Sequence, residues 1–348
     1  MKVATTRLTR YKGLGPALLV VGLGMSLIVL CLLSLALGAL SVPVDQVVQA
    51  LLGTPGDQTV ENVIWSVRVP RTLLGLTAGV ALGLSGALMQ ALTRNPLADP
   101  GLLGVTAGAS FAIVGSVALL GIGSLLGFIW FALAGALIAS VVVYLLAGLG
   151  RSGLTPVKLA LAGIAVTSLL FSITNAIVLV DPEALNRYRF WSAGSLAGQT
   201  GDVVGQILPF VIAGTILALA CAPALNSLAL GDDVAVSLGR KVGLIRVQGV
   251  IAIMLLTGAA VAVIGPVVFI GLVVPHVARV LAQQAGLGPD HRWLLPLSAM
   301  LAPCLLLAAD ILGRTLARPT EIQAGVLIAF IGGPFFIALV RRRRLAEI

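Results

Sequence analysis

Asp310 and Arg314 are the ionisable residues that come nearest to the interior of an apolar run, and they stand four residues apart. On a helix that spacing puts a carboxylate and a guanidinium on one face. Two kinds of chemistry suit them: an ion or proton relay inside a membrane, or a structural pair that neutralises both charges. Their place toward one end of the run favours the structural pair. Other chemistry-bearing residues are sparse. His276 and His291 are the two histidines, with no H-E-x-x-H spacing and no His/Cys cluster, so no metal site is expected. Cys31, Cys221 and Cys304 lie far apart within apolar runs, which reads as packing rather than a disulfide framework. Gly148-Leu-Gly-Arg-Ser-Gly153 matches G-x-G-x-x-G but follows an apolar helix rather than a strand, so no dinucleotide site is expected. No G-x-x-x-x-G-K-[ST] run occurs either. The chain carries no ATP site of that kind, no resident cofactor is expected, and an enzyme is not the expectation.

The elements that position these residues follow from composition. Hydrophobic residues make up 59% of the chain, charged residues 10%, and mean hydropathy is +1.10. Stretches 13–44, 72–93, 100–150, 159–180, 203–231, 247–278 and 322–340 contain no Asp, Glu, Lys or Arg. A bilayer crossing needs roughly 20 apolar residues. Stretch 100–150 therefore holds two crossings, with a turn near 121–127. Stretch 247–278 breaks at Gly265-Pro266 into a full crossing and a short helix near 268–284, and 293–317 adds another. The expectation is an all-α polytopic membrane protein of about ten helices, one transmembrane domain over 1–348 with short tails at 1–13 and 341–348. The first apolar run far exceeds the 7–15 residues of a signal-peptide core, so it reads as a retained span.

Loop charge sets the orientation. One side collects sixteen of the 22 Lys and Arg residues and the other six, which places both termini in the cytoplasm. The net charge of +9 is then topological, and nucleic acid is not an expected partner. Residues 90–109 form a polar hinge at the cytoplasmic face, where Asn95-Pro96 and Asp99-Pro100 stop one helix and start the next. Gly75, Gly79 and Gly83 recur every four residues and line one helix face, as do Gly104 and Gly108. A small-residue span, a proline break and a further span recur near 75–109 and 249–300, a weak internal echo of the kind transporters use.

With no engine of its own, such a chain needs a partner that docks from the cytoplasm. Segment 226–243 is the candidate surface: Gly231, Asp232, Asp233, Val234, Leu238, Gly239 and Arg240 read as a short capped helix with Val234 and Leu238 on one face. A helix lying in the membrane interface is the alternative.

Several motifs resemble the FecCD-type permeases, membrane subunits of bacterial ABC importers for ferric siderophores, haem and vitamin B12. They are Arg68-Val-Pro-Arg71, Thr93-Arg-Asn-Pro-Leu-Ala-Asp-Pro-Gly-Leu-Leu-Gly104, Gly265-Pro-Val-Val-Phe-Ile-Gly-Leu-Val-Val-Pro-His276, Asp290-His-Arg-Trp-Leu-Leu-Pro296 and Gly332-Gly-Pro-Phe-Phe. The resemblance runs from about residue 41 to the C-terminus. It is closest to ferric enterobactin permeases on 92–113, Arg189-Phe-Trp-Ser-Ala-Gly-Ser-Leu196 and Ala224-Leu-Asn-Ser-Leu-Ala-Leu-Gly231.

The resemblance implies a type II importer fold with ten spans that pairs with a second permease subunit, a paralogue in preference to an identical copy. Two ATP-binding subunits and a periplasmic siderophore-binding protein complete the assembly. It also implies coupling to the ATPases through the region at 225–242, and gripping of the binding protein by Arg68, Arg71 and Arg314. A cytoplasmic gate would fall at Gly153, Leu154 and Thr155. Arg187 and Arg189, beside Phe190 and Trp191, could meet an anionic aromatic cargo at the mouth, or anchor the interface. The implied activity is ATP-driven import of a ferric siderophore across the bacterial inner membrane by alternating access. Haem or vitamin B12 import is the alternative cargo, and an ion-coupled secondary carrier the alternative class.

Overall fold

The computed structural model describes residues 15–38, 42–53, 57–122, 125–149, 155–199, 201–318 and 320–341, without the side chains of residues 125, 126, 128, 156, 187, 190 and 340. These residues are mostly helical and contain no strand. In chain order the helices are α1 (Pro16–Ala36), α2 (Val44–Leu51), α3 (Gln58–Val63), α4 (Val69–Thr93), α5 (Val105–Leu120), α6 (Leu125–Gly148), α7 (Pro156–Val180), α8 (Pro182–Ser192) and α9 (Gly201–Ala229). They continue with α10 (Asp232–Ser237), α11 (Val242–Ile264), α12 (Ile270–Gln284), α13 (His291–Leu316) and α14 (Ala324–Arg341). A π-helical turn, Ile64–Arg68, fuses α3 to α4, and a 3₁₀ turn, Pro100–Leu103, precedes α5. Seven of these helices are long and apolar enough to cross a bilayer, and α5 and α14 are shorter apolar helices. With α12 they make the expected ten. The break at Gly265-Pro266 separates α11 from α12, and the turn near 121–127 separates α5 from α6.

Helices α4 and α11 form the buried centre, while α1 and α7 leave most of their surface uncovered. The four-residue glycine spacing has a physical reason here. A methyl group on Gly79 would strike the backbone of Pro303, and one on Gly83 the carbonyl of Ser298. Gly75 faces the side chain of Leu307 in the same way. Thus α4 and α13 approach backbone to backbone, as helices in lipid do when packing replaces the hydrophobic drive. Gly108 and Gly135 bring α5 and α6 together by the same device.

The segments that link the apolar runs at 43–68, 181–202 and 224–246 are largely helical. Asp57 accepts from the Thr59 amide and starts α3, and Asp181 accepts from the amides of Glu183 and Ala184 and starts α8. Each such cap stabilises its helix by about 1 kcal/mol. In α2, Val47 and Ala50 are buried with Leu35, Ala36 and Ile64, so this short helix closes over the end of α1.

Candidate functional site

Two groups of charged side chains lie at opposite ends of α4, which is 25 residues long. The first surrounds α10. Six residues cannot sustain a free helix, so this one is fastened from outside. Gly231 enters it at φ 114° and Gly239 leaves it at φ 75°, conformations that favour glycine. The Gly239 amide donates to the Val236 carbonyl at 2.8 Å and the Arg240 amide to the Ala235 carbonyl at 2.9 Å. That pair of bonds is a Schellman closure. Ala235 is the buried foothold. Val234, Val236 and Leu238 are exposed, as are Asp233 and Arg240. A cluster of exposed apolar residues at a bundle end is the mark of an interaction surface.

Asp232, in the first turn of α10, pairs with Arg94 through one oxygen and with the Arg246 guanidinium at 2.8 Å through the other. Arg94 is the left-handed residue that ends α4, at φ 49°, and Arg246 lies on the first turns of α11. The hinge beyond Arg94 holds itself by local bonds. Asn95 accepts from the Leu97 amide at 3.0 Å and Asp99 from the Gly101 amide at 2.8 Å. Enclosure pushes the Asp99 carboxyl above its ordinary range, with the Gly101 amide pulling the other way. One turn before the hinge, the Gln90 amide donates to the carbonyl of Gly271 at 3.1 Å. Pro275, four residues on, has no N–H to offer that carbonyl. Arg279 in turn donates to the Gln90 side-chain oxygen. At the same end Asn226, late in α9, bonds Asp290 at 2.5 Å and the His291 amide at 2.9 Å. The Arg292 amide and Asn226 together hold the Asp290 carboxyl below its usual value.

The second group joins α1, α4 and α13. Arg71 grips Asp310 through Nε and a terminal nitrogen, at 2.8–3.1 Å, and meets Glu321 at 2.9 Å. Arg314 pairs with the other side of Asp310 at 2.9 Å. Arg314 also donates to the carbonyls of Ser34 and Leu37, and Arg68 to those of Leu35 and Ala36. The last carbonyls of a helix lack intrahelical partners, so two arginines here satisfy the end of α1. The π turn just before α4 carries Arg68 inward. Arg68, Arg71 and Arg314, the residues expected to grip the binding protein, thus lie together at this end of α4. They are 4%, 7% and 3% exposed, each already occupied inside the protein.

Of the expected gate, Gly153 and Leu154 lie outside the described residues. Thr155 caps α7, accepting from the Lys158 amide at 3.3 Å, and lines a small cavity with Met89, Leu92, Thr93 and Arg246. At the expected mouth, the side chains of Arg187 and Phe190 lie outside the described residues. Arg189 is exposed. Trp191 turns inward and donates to the Ala262 carbonyl of α11 at 3.4 Å. Among the described residues no group of three or more His, Cys, Asp or Glu could hold a metal ion. Sequence reasoning missed Ser34 and Glu321 in the arginine cluster, and Arg94 and Arg246 as partners of Asp232. The one available signal was that the hinge holding Arg94 and the segment holding Asp232 were both read at the cytoplasmic face.

Comparison with known proteins extends this picture. The FecCD transport family matches residues 26–342. The ferric enterobactin transport system permease protein FepD of Escherichia coli (strain K12) is 48% identical over 330 residues, covering 94% of this chain and 96% of that one. The hemin transport system permease protein HmuU of Yersinia pestis is 38% identical, covering 92% and 96%. A solved structure described as an inward-facing conformation of a metal-chelate type ABC transporter superposes with a TM-score of 0.81 at 28% identity, covering 94% of this chain and 99% of that one.

Proposed function

We propose that this chain, which belongs to the FecCD transport family, is the membrane-spanning subunit of an ATP-driven importer that carries a ferric siderophore inward by alternating access. It binds no nucleotide itself. Partner ATPase subunits hydrolyse ATP, and a binding protein delivers cargo to the opposite face. The structural observation that carries the reading is α10, whose exposed Val234, Val236 and Leu238 form a ready contact for a soluble partner, fastened at Asp232 to α4 and α11. The excess of Lys and Arg at that end supports a cytoplasmic position for it and for both termini.

The Arg71 end is then periplasmic and receives the binding protein. Arg68, Arg71 and Arg314 support that face from below by holding α1, α4 and α13 together. Glu321 is the more open member of the cluster, one-third exposed, so a docking carboxylate reaches Arg71 by exchanging with it. The second permease subunit is a paralogue in this reading. Thr155 and the residues before it close the path from the cytoplasm.

An enterobactin-like catecholate is the favoured cargo, on the 48% identity to the enterobactin permease. Haem is the second candidate, on the 38% identity to a hemin permease. An ion-coupled carrier finds little support, because both oxygens of Asp310 are already engaged by arginines. The test is uptake of radiolabelled cargoes by a strain deleted for this gene and complemented with it. Ferric catecholate uptake restored above ferric hydroxamate and haem is the expected result. Restoration of haem alone would overturn the cargo assignment.

A further inference from the structure

We propose that Asp232 is a positioning residue of the transport cycle: it is the rigid link that carries displacement of α10 into the two most buried helices of the bundle. This rests on the reading of α10 as the ATPase contact and says how force leaves it. Beside the packing of buried Ala235, a push on α10 has two routes into the membrane domain. One is the chain itself, but Gly231 and Gly239 flank the helix at φ 114° and 75°. Glycine carries no Cβ to restrict rotation, so that route is soft. The other is Asp232, whose two oxygens are held by guanidiniums on different helices, Arg94 ending α4 and Arg246 opening α11.

Both recipients reach deep. Beyond the Arg94 end, α4 packs backbone to backbone on α13 at Gly79 and Gly83. Arg246 lines the small cavity shared by α4, Thr155 and Leu159 at the start of α7, and Val250 of α11. Movement of Asp232 is thereby delivered to the junction of α4, α7 and α11. As stabilising contacts the pairs are minor, since exposed ion pairs contribute about 0–1 kcal/mol. Their consequence is mechanical. Arg94, left-handed where glycine is the usual residue, brings to this position a charge that glycine would lack.

The test uses the whole transporter in proteoliposomes, with its ATPase, partner permease and binding protein, and reads cargo transported per ATP hydrolysed. A purely structural role would lower the amount of active complex and leave that ratio alone. Asp232→Asn and Arg94→Gln are each expected to lower the ratio by about tenfold, within the usual range of coupling between sites. Asp232→Glu, which keeps the charge, is expected to retain most of it. The double variant Arg94→Gln/Asp232→Asn is expected to be no worse than Asp232→Asn alone, because Asp232→Asn already breaks the pair that Arg94→Gln breaks. An unchanged ratio in the single variants, or additive losses in the double, would overturn the proposal. A photocrosslinking side chain at Val236 separates it from the reading beneath. Failure to capture the ATPase there removes both, whereas capture with an unchanged ratio removes the role of Asp232 alone.

Discussion

Arg71 on α4 and Asp310 on α13 form a bidentate ion pair across 239 residues of sequence, with both side chains almost fully buried. Arg314 shares the same carboxylate one helical turn away. A lone buried charge is costly, whereas a paired and hydrogen-bonded one is tolerated. Asp310 is therefore the keystone: without it two buried guanidiniums lose the carboxylate they share, and Arg71 falls back on the half-open Glu321. Asp310→Asn is expected to destabilise the protein by about 3–5 kcal/mol. Glu321→Gln, at the more open edge, is expected to cost no more than about 1 kcal/mol. Thermal unfolding of the two variants in detergent checks the order, and equal midpoints would contradict it.

The approach of α4 to α13 leaves no room for a methyl group. Gly79→Ala and Gly83→Ala force backbones apart, and each is expected to cost at least about 1–3 kcal/mol. Gly22→Ala on α1, where nothing lies within 4 Å, serves as the control. There the substitution is expected to be neutral or slightly stabilising, since alanine favours helix over glycine. Thermal midpoints of the three variants give the comparison.

Val236 and Leu238 are exposed at an end of the bundle where a partner is expected. Val236→Asp and Leu238→Asp should leave folding intact and weaken capture of the ATPase by about 2 kcal/mol each, the size of an interface hot spot. Co-purification of the ATPase with inserted permease measures this. Retention at the wild-type level would place the contact elsewhere.

Asp99 has its carboxyl raised by enclosure. The protonated form then favours the fold. That contribution is fully present below the unfolded-state value, 3.8, and is lost as pH rises through the higher folded-state value. Asp99→Asn keeps an oxygen for the Gly101 amide and carries no charge to bury. It is expected to be more stable than the parent at pH 7, with the difference shrinking as pH falls toward 4. A gap that widens on acidification would contradict this.

The membrane architecture was legible in the sequence because it depends on runs of apolar residues, which are local. The break at Gly265-Pro266 was equally plain, and it separates α11 from α12. Short α2, α3 and α8 left no such signal, because caps and a few buried residues, not an apolar run, hold them. The pairings were hidden for a different reason. Nothing in the spacing of Arg71 says that its partner lies at Asp310. Arg94 and Asp232 were both read at the cytoplasmic face, but contact between them needed the fold. The inward turn of Trp191 onto Ala262 likewise depends on α11 lying beside α8.

The central claim is that this chain conducts cargo only when partner subunits supply the energy. Proteoliposomes holding the permease pair and its ATPases, with binding protein and labelled ferric catecholate added outside and ATP supplied inside, test it most directly. Accumulation is expected only with ATP and loaded binding protein together, and it should persist when ion gradients are collapsed. Uptake that proceeds without ATP and vanishes with the ion gradient would contradict the account.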